Sequence, residues 1–293
     1  MMRRALLRRL AAAVLAALMT ALLFSSCTEE NAGKEQARLV AHFLDVGQGD
    51  SCFIELPNGE TMLIDAGENY YGENIIRYMR SRGCEKIDYL IASHPHSDHI
   101  GSMPYIVRHF DIGEVFMSEA VSDTYSFENL LEAISEKGLR INKGEAGVKI
   151  VEEKELTAEI TAPETVDEDD LNNSSLIIRI TYKDSSFLFL GDAQKTELSK
   201  LGEIEPADVL KVGHHGSGTS TTKELLDSVK PKIAVISCGE DNSFGHPHPE
   251  TLGLLNSAGC EIYRTDKDKT VIVATDGKEY EVKTQARSIV REK

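Results

Sequence analysis

The stretch YLIASHPHSDHIGS, residues 89–102, decides how the rest of the chain is interpreted. Its apolar first half is typical of a buried strand. Three histidines and an aspartate then follow within six positions: His94, His96, Asp98 and His99. Since the whole chain has nine histidines, a third of them lie in this one segment. Pro95 disfavours helical backbone at His94, and on extended backbone His94 and His96 face the same side.

Imidazole nitrogens and a carboxylate in this arrangement indicate a metal site. The donor set suits zinc, manganese or iron rather than calcium. A structural zinc site would place cysteines in close pairs, and a helical metalloprotease site would need two histidines four apart with a glutamate. The segment has neither pattern. We therefore predict a metal centre at the end of this strand.

Two further apolar runs end in side chains that bind metals. FLFLGDA delivers Asp192, and DVLKVGHHGS delivers His214 and His215. Layered α/β proteins gather their chemistry at the ends of strands. A carboxylate at such a place can bridge two metal ions ~3.5–4 Å apart, and such pairs activate water for attack on phosphorus or carbonyl carbon. Taken alone, Asp192 is equally well explained as the cap of a following helix.

Strand-like and helix-like segments alternate through two halves of the chain. The predicted strands and hairpins lie at 39–47, 50–59, 60–67, 86–93, 114–118, 141–165 and 174–192, and the predicted helices at 73–83, 103–110, 124–138, 221–229 and 249–258. This alternation predicts a layered α/β protein with two sheets and helices outside them.

The first 27 residues have the pattern of a signal peptide rather than of a folded element. Four arginines precede an apolar run at 10–24, which is too short for a spanning helix. Ser25 and Ser26 before Cys27 resemble a lipoprotein cleavage box. We predict a signal peptide at 1–27, a linker at 28–38 and a folded domain at 39–293, in an extracellular protein anchored to the cell membrane by lipid on Cys27. Cleavage without lipidation and an uncleaved anchor stay open.

Charge and cysteine content narrow the class of protein. A formal net charge of −16 disfavours a general nucleic-acid coat protein, because an acidic surface repels phosphates at long range. It does not disfavour an enzyme whose metal ions supply positive charge locally. Cys52 and Cys238 are expected in the core, while the spacing of Cys84 and Cys260 leaves a disulfide open.

The motifs HPHSDH, GDA and GHHGS, in this order, resemble those of the metallo-β-lactamase fold superfamily. LDVGQGDS at 44–51 and GHPHPE at 245–250 narrow the resemblance to the hydrolase domain of ComEC-type competence proteins, over residues 39–280. The resemblance implies an α/β fold, a four-layered αββα sandwich. It also implies a phosphodiesterase or nuclease that uses a metal-bound hydroxide, with DNA or an envelope phosphodiester as substrate.

Transferred to this chain, the resemblance implies two divalent ions, zinc or manganese. The implied metal ligands are His94 and His96 for the first ion, Asp98 and His99 for the second, Asp192 as the bridge, and His215 to complete the second site. His214 would be a near-site acid or substrate contact, although the roles of His214 and His215 are interchangeable at this stage. Many superfamily members supply a further histidine to the first ion, but this chain has LNNSSLII there, so that water or Asn173 would complete that site.

Several residues near these motifs have two interpretations of about equal weight. Asp98 would also act in catalysis. His246 and His248 would either donate a proton or contact phosphate, or lie in a solvent-exposed loop without a catalytic function. Asp50 would shape a turn. The segment around Ser217 would cradle a phosphate through backbone amides, and Lys211 would reach the cleft or be solvated.

Other functions remain as alternatives to the nuclease. These are an envelope phosphodiesterase acting on phosphorylcholine esters, a β-lactam hydrolase, and a metal-binding accessory lipoprotein without turnover. No protein partner is predicted.

Overall fold

Two β-sheets carry the fold. The computed structural model describes residues 37–202 and 204–285. The strands are β1 Leu39–Phe43, β2 Cys52–Glu55, β3 Thr61–Ile64, β4 Lys86–Ala92, β5 Asp111–Met117, β6 Ile141–Lys143, β7 Lys149–Glu152, β8 Leu156–Ala162, β9 Ile177–Tyr182, β10 Ser185–Phe189, β11 Val209–Lys211, β12 Ile233–Ile236, β13 Glu261–Arg264, β14 Val271–Thr275 and β15 Tyr280–Thr284. The first sheet has the order β15-β14-β1-β2-β3-β4-β5-β6 and the second β13-β12-β11-β10-β9-β8-β7.

The helices lie between these strands along the chain. They are α1 Gly72–Ser81, α2 Ser97–Ile100, α3 Met103–His109, α4 Tyr125–Glu136, α5 Lys195–Leu198, α6 Lys223–Val229, α7 Pro249–Ala258 and α8 Thr265–Asp268. Short 3₁₀ segments cover Leu171–Ser174 and Gly213–Gly216. The helices that sequence periodicity predicts correspond to α1, α3, α4, α6 and α7 within a few residues.

Three hydrophobic clusters show how the layers stack. The largest joins the facing sides of the two sheets, where Phe43 of β1 and Phe189 of β10 stack with ring centroids 6.0 Å apart. A second cluster packs α1, α3 and α4 on the outer face of the first sheet. A third packs α6 and α7 on the outer face of the second sheet. The layer order is therefore αββα, and the fold prediction is confirmed.

The direction of the strands brings the motifs to one edge. β3 and β4 are parallel, as are β10 and β11, so the carboxyl ends within each pair lie together. The backbone amide of Leu176 donates to the carbonyl of Ser93 at 2.9 Å, which ties the end of β4 to the entry of β9 in the other sheet. Side chains that follow these four strands therefore meet at the junction of the two sheets.

The predicted signal peptide, its lipid anchor and nearly all of the linker lie outside the described residues. Within the described ranges, no helix is both long and apolar enough to cross a membrane. Cys52, Cys84, Cys238 and Cys260 are free thiols, so the disulfide that sequence spacing leaves open is not formed. Cys52 and Cys238 are buried, as expected for core residues.

Candidate metal centre

The HPHSDH segment turns from β4 into the short helix α2 against a glycine turn. Gly49 has a φ of +149°, and a Cβ at this position would collide with the carbonyl oxygen of Asp98. The same carbonyl accepts a hydrogen bond from the amide of Asp50 at 3.1 Å. The GQGD turn at 47–50 thus packs directly beneath α2, which explains why a glycine precedes Asp50.

His99 is held by a buried carboxylate. Its Nδ1 lies 2.8 Å from Asp65 Oδ2, and Asp65 also accepts from the amide and hydroxyl of Ser93 at 2.8 and 2.6 Å. Because an ionised carboxylate only accepts hydrogen bonds, the proton lies on Nδ1 of His99. The Nε2 of His99 is therefore the ring nitrogen that would bind a metal ion. It is buried and has no hydrogen-bond partner.

His215 is held in the same way from the other sheet. Its Nδ1 lies 3.1 Å from the carbonyl oxygen of Ser237 and 3.2 Å from Asp50 Oδ1. Both partners are acceptors, so Nδ1 carries a proton, and Nε2 faces the carboxylates of Asp98 and Asp192. His214 and His215 both have left-handed backbone, with φ of 50° and 53°, an unfavourable geometry for residues with a Cβ. Strain of this kind commonly marks a functional turn.

The Nε2 atoms of His99 and His215 converge on Asp192. His99 Nε2 lies 3.3 Å from Asp192 Oδ1, and His215 Nε2 lies 3.4 Å from Asp192 Oδ2. Asp98 Oδ2 is 3.1 Å from His215 Nε2 and 3.9 Å from His99 Nε2. One donor atom each of Asp50, His99, Asp192 and His215 lies within 4.8 Å of the others, and all four side chains are buried. Nitrogen and oxygen donors at these separations could hold a divalent ion.

A second pair of histidines lies beside this group. His94 Nε2 and His96 Nδ1 are 3.0 Å apart, and the His94 and His99 rings are 4.2 Å apart between centroids. His94 Nδ1 lies 3.1 Å from the Ser93 hydroxyl. The Ser93 hydroxyl donates its only proton to Asp65, so it accepts a hydrogen bond from His94 Nδ1. The Nε2 of His94 is therefore the nitrogen that faces the centre. Asp65 therefore sets the tautomer of His99 directly and that of His94 through Ser93.

Charges at the centre shift the histidine pKa values in opposite directions. Burial lowers the pKa of His99, but Asp192, Asp65 and Asp98 together raise it well above its usual value. The same balance between burial and carboxylates raises the pKa of His215. His94 has a strongly lowered pKa, because it is buried and lies beside His99.

The carboxylates respond in the complementary way. Burial raises the pKa of Asp192, but His215 and His99 lower it well below its usual value. Burial also acts against ionisation of Asp50, yet the Lys211 ammonium and His215 lower its pKa to about 2. Asp192 and Asp50 are therefore ionised at neutral pH, and their negative charges favour a bound cation.

A family model described as the metallo-beta-lactamase superfamily matches residues 44–240, more than half of the chain. The chain belongs to that superfamily. The crystal structure of CmlA, a diiron beta-hydroxylase from Streptomyces venezuelae, shares the fold with a TM-score of 0.54 and 18% identity, over 77% of this chain and 52% of that one. The superfamily predicted from the motifs is thereby confirmed.

Relatives place the chain more narrowly within the superfamily. ComE operon protein 3 of Bacillus subtilis (strain 168) is 32% identical over 248 residues, 78% of this chain and 32% of that protein. Endoribonuclease ysh-1 of Neurospora crassa is 33% identical over 92 residues, 29% of this chain and 11% of that protein. The chain thus spans about a third of the length of the first relative. The competence-protein relatives support the ComEC-type subgroup.

Asn173, which the resemblance offers as a ligand of the first ion, makes two hydrogen bonds through its side chain. Its amide oxygen accepts from the backbone of Gln194 at 3.2 Å, and its amide nitrogen donates to Asp167 Oδ2 at 3.2 Å. Asn173 is 4% exposed. These contacts hold the segment before β9 against the loop that follows Asp192, which is a structural function.

The histidines of the second half have different surroundings. His214 Nδ1 bonds to Thr219 Oγ1 at 3.1 Å, and its Nε2 lies 3.6 Å from Asp192 Oδ2. The His246 ring lies edge-on to the His214 ring at 5.7 Å and roughly parallel to the His215 ring at 6.3 Å between centroids. His246 therefore lines the centre, while its catalytic function stays a prediction.

His248 braces the loop that carries His246. Its Nδ1 accepts from the amide of Gly218 at 2.9 Å, and its Nε2 lies 3.3 Å from the carbonyl oxygen of Phe244. Both ring nitrogens thus bond to backbone atoms, and a function of His248 in catalysis stays a prediction. The amides of Ser217 and Gly218 donate to His214 and His248, so these two amides are not free to cradle a phosphate.

Sequence reasoning did not predict the contacts that Lys211 and Asp50 make at the centre, and it did not single out Asp65. Lys211 is neither solvated nor free in the cleft, because its Nζ is buried and lies 2.7 Å from Asp50 Oδ2. Asp50 does more than shape a turn, since it contacts both Lys211 and His215. Asp65 follows β3 in the run TMLID, so the rule that located Asp192 after a strand would also have located Asp65.

Proposed function

We propose that the chain is a metal-dependent phosphodiesterase that cleaves nucleic acid, with two divalent ions at the junction of the two sheets. The observation that carries this proposal is the pairing of His99 Nε2 and His215 Nε2 with the two oxygens of Asp192. Members of the superfamily are generally metal-dependent hydrolases. A relative that matches 29% of this chain is named an endoribonuclease, which supports a phosphodiester substrate.

The residues at the centre fit a metal ion, because a nitrogen and an oxygen atom among them are buried without a hydrogen-bond partner. His99 Nε2 and Asp192 Oδ1 are buried and have no hydrogen-bond partner. Unsatisfied buried polar atoms are costly, so a native protein that keeps such atoms in one place usually has a ligand for them. His99, His215, Asp98 and Asp192 would hold one ion, and His94 and His96 with Asp192 would hold the other.

Bound divalent ions at this position would polarise the phosphate, stabilise the charge that develops on it and lower the pKa of a water molecule. The chain itself supplies the geometry. Asp65 and Asp50 fix the rings of His99 and His215, and a group held in this way loses little entropy on binding.

His214 is positioned to contact the substrate. Its side chain is 22% exposed, whereas that of His215 is 2% exposed. Burial and the neighbouring His215 lower the pKa of His214 although Asp192 opposes this, so the neutral imidazole is its resting form. A neutral imidazole is better suited to donate a hydrogen bond to a phosphate oxygen than to act as a general acid.

The experiment that tests this function is hydrolysis of bis-p-nitrophenyl phosphate by the full chain with zinc or manganese. We expect turnover that a chelator abolishes and that Asp192→Asn and Asp98→Asn each lower by at least a hundredfold. Glu73→Gln, in an exposed ion pair with Arg77, is the control and keeps its rate. Circular dichroism shows that each variant is folded. Turnover that survives chelation, or hydrolysis of a β-lactam without hydrolysis of the diester, would refute the proposal.

We also propose that the protein functions outside the cytoplasm, attached to the membrane by lipid on Cys27. The supporting pattern is the arginine-rich start, the apolar run at 10–24 and Ser25-Ser26 before the cysteine. Labelling of cells with a radioactive fatty acid tests this, because label should enter the protein and be lost in Cys27→Ala. Label in neither protein would contradict the anchor.

A further inference from the structure

A large aromatic side chain is exposed beside the metal centre. Phe244 is 64% exposed, and its ring stacks on that of His246 with centroids 5.6 Å apart and an interplanar angle of 21°. The His246 ring in turn lies 6.3 Å from the His215 ring, at 28°. The three rings form a roughly parallel series that leads from the candidate ligand His215 out to solvent.

Hydrogen bonds fix the loop that holds Phe244. The Asn242 side chain accepts from the amide of His246 at 2.9 Å and donates to the carbonyls of Gly239 and His246 at 2.9 and 2.6 Å. His248 lies 3.3 Å from the carbonyl oxygen of Phe244 and accepts from the amide of Gly218. Gly218 follows the His214-His215 turn closely, so the position of Phe244 is tied to that of His215.

The charge of the chain contributes little to the binding of a polyanion at the metal centre. The formal net charge is −16, and the Lys211 ammonium is paired with Asp50. Attraction between the protein and the phosphates of a nucleic acid is therefore weak apart from the metal ions. Contacts that do not depend on charge have to supply the remaining affinity, and a base stacked on an aromatic ring is such a contact.

We propose that Phe244 and His246 form a stacking platform for a nucleobase of the substrate, next to the phosphodiester bound at His99, Asp192 and His215. This inference rests on the proposed function and adds the substrate class, a diester with a planar base on at least one side. The ring spacings of 5.6 and 6.3 Å link Phe244 through His246 to His215, so a base stacked on Phe244 would lie near a phosphodiester bound at the centre.

The test compares two diesters that differ only in their bases. One is a dinucleoside monophosphate, and the other is its abasic analogue with hydrogen in place of both bases. In the zinc-loaded full chain, Phe244→Leu keeps the apolar bulk but removes the aromatic face. We expect it to raise the KM for the dinucleotide about tenfold and to leave kcat/KM for the abasic diester unchanged. Phe244→Tyr keeps the aromatic face and should behave like the wild type.

Equal losses on both diesters would assign Phe244 to the structure of the loop and overturn the platform, as would no loss on either. A binding measurement separates this inference from the proposed function. If no diester is cleaved, fluorescence anisotropy with a labelled phosphorothioate dinucleotide still reports affinity. Weaker binding to Phe244→Leu than to the wild type would then support the platform while the hydrolase proposal fails. Unchanged binding would refute the platform.

Discussion

Lys211 Nζ lies 2.7 Å from Asp50 Oδ2, and both side chains are more than nine-tenths buried. The second oxygen of Asp50 lies 3.2 Å from His215 Nδ1. Lys211 thus neutralises a carboxylate that orients a candidate metal ligand. It also donates to the carbonyl of Val212 at 3.1 Å, so its position on β11 is fixed at two points.

The two partners of this pair should be strongly coupled in their effects on stability. Lys211→Met leaves the buried Asp50 charge with His215 as its remaining partner, and Asp50→Asn leaves the buried Lys211 ammonium without the Asp50 carboxylate. We expect each to lower the free energy of unfolding by roughly 3 kcal/mol, and the double variant to lose clearly less than the sum. Urea unfolding of the protein in chelator measures the coupling without metal binding.

A matched pair on the surface provides the control for this cycle. Lys86 and Asp88 are 2.6 Å apart, but the lysine side chain is 51% exposed. Solvent screening should leave little coupling between these two residues. If the buried pair couples no more strongly than the exposed pair, Asp50 does not depend on Lys211 for its charge.

Substitution of His214 and of His215 should have different effects on zinc binding. His215→Asn removes an Nε2 that lies among the donors, so we expect zinc affinity to fall at least tenfold. His214→Asn removes a more exposed ring and should keep zinc while it lowers kcat/KM for the diester. Zinc per chain after dialysis, measured by atomic absorption, decides between the two assignments that the sequence leaves open. The reverse pattern would make His214 the ligand.

Glu55 should make the free energy of unfolding depend on pH in the acid range. Burial favours its neutral form, but His42 and Arg82 lower its pKa to about 2 from 4.5. Because the folded pKa is lowered, the stabilisation is present above pH 4.5 and is lost as the pH falls from 4.5 toward 2. We expect Glu55→Gln to lower the free energy of unfolding at pH 7 by about 2 kcal/mol, after allowance for the exposed Arg82.

Denaturant unfolding at several pH values tests the effect of Glu55. The variant should lose stability less steeply than the wild type between pH 4.5 and 2, where the wild-type carboxyl is protonated. Glu73→Gln, in the exposed pair with Arg77, should leave the pH profile unchanged. Parallel profiles for Glu55→Gln and the wild type would show that Glu55 is not stabilised by its neighbours.

Local patterns in the sequence were sufficient to predict the layers. Apolar runs that end in Asp192 and His214 predicted strands whose ends carry chemistry, and β10 and β11 end just before these residues. The order of the strands was not predictable in this way. β1 pairs with β14, from the far end of the chain, and no local periodicity encodes such a pairing.

The same limit explains which site residues were missed. Lys211 and Asp50 are 161 positions apart, so their ion pair leaves no trace in either local segment. Asp50 follows a glycine turn, where aspartate is common for reasons of backbone alone. HPHSDH was informative because one segment concentrates several donors, whereas Asp50 and Lys211 become informative only when the two sheets meet.

Zinc binding should release protons in a pH-dependent way. In the metal-free protein the carboxylates raise the pKa values of His99 and His215, so both rings keep a proton on Nε2 above the usual histidine range. A metal ion has to displace these protons, and its apparent affinity should therefore rise as the pH increases above 6.5. Calorimetry in buffers of different ionisation enthalpy counts the protons released for each zinc ion bound.

Asp65→Asn tests the physical origin of this release. The variant removes a carboxylate 2.8 Å from His99 Nδ1, so the pKa of His99 falls and fewer protons are released at pH 7. His109→Gln removes an exposed imidazole on α3 that bonds to the carbonyl of Tyr105, and it should leave the count unchanged. If zinc binds but no protons are released between pH 6.5 and 8, then His99 and His215 do not exchange protons for the metal, and the metal lies elsewhere.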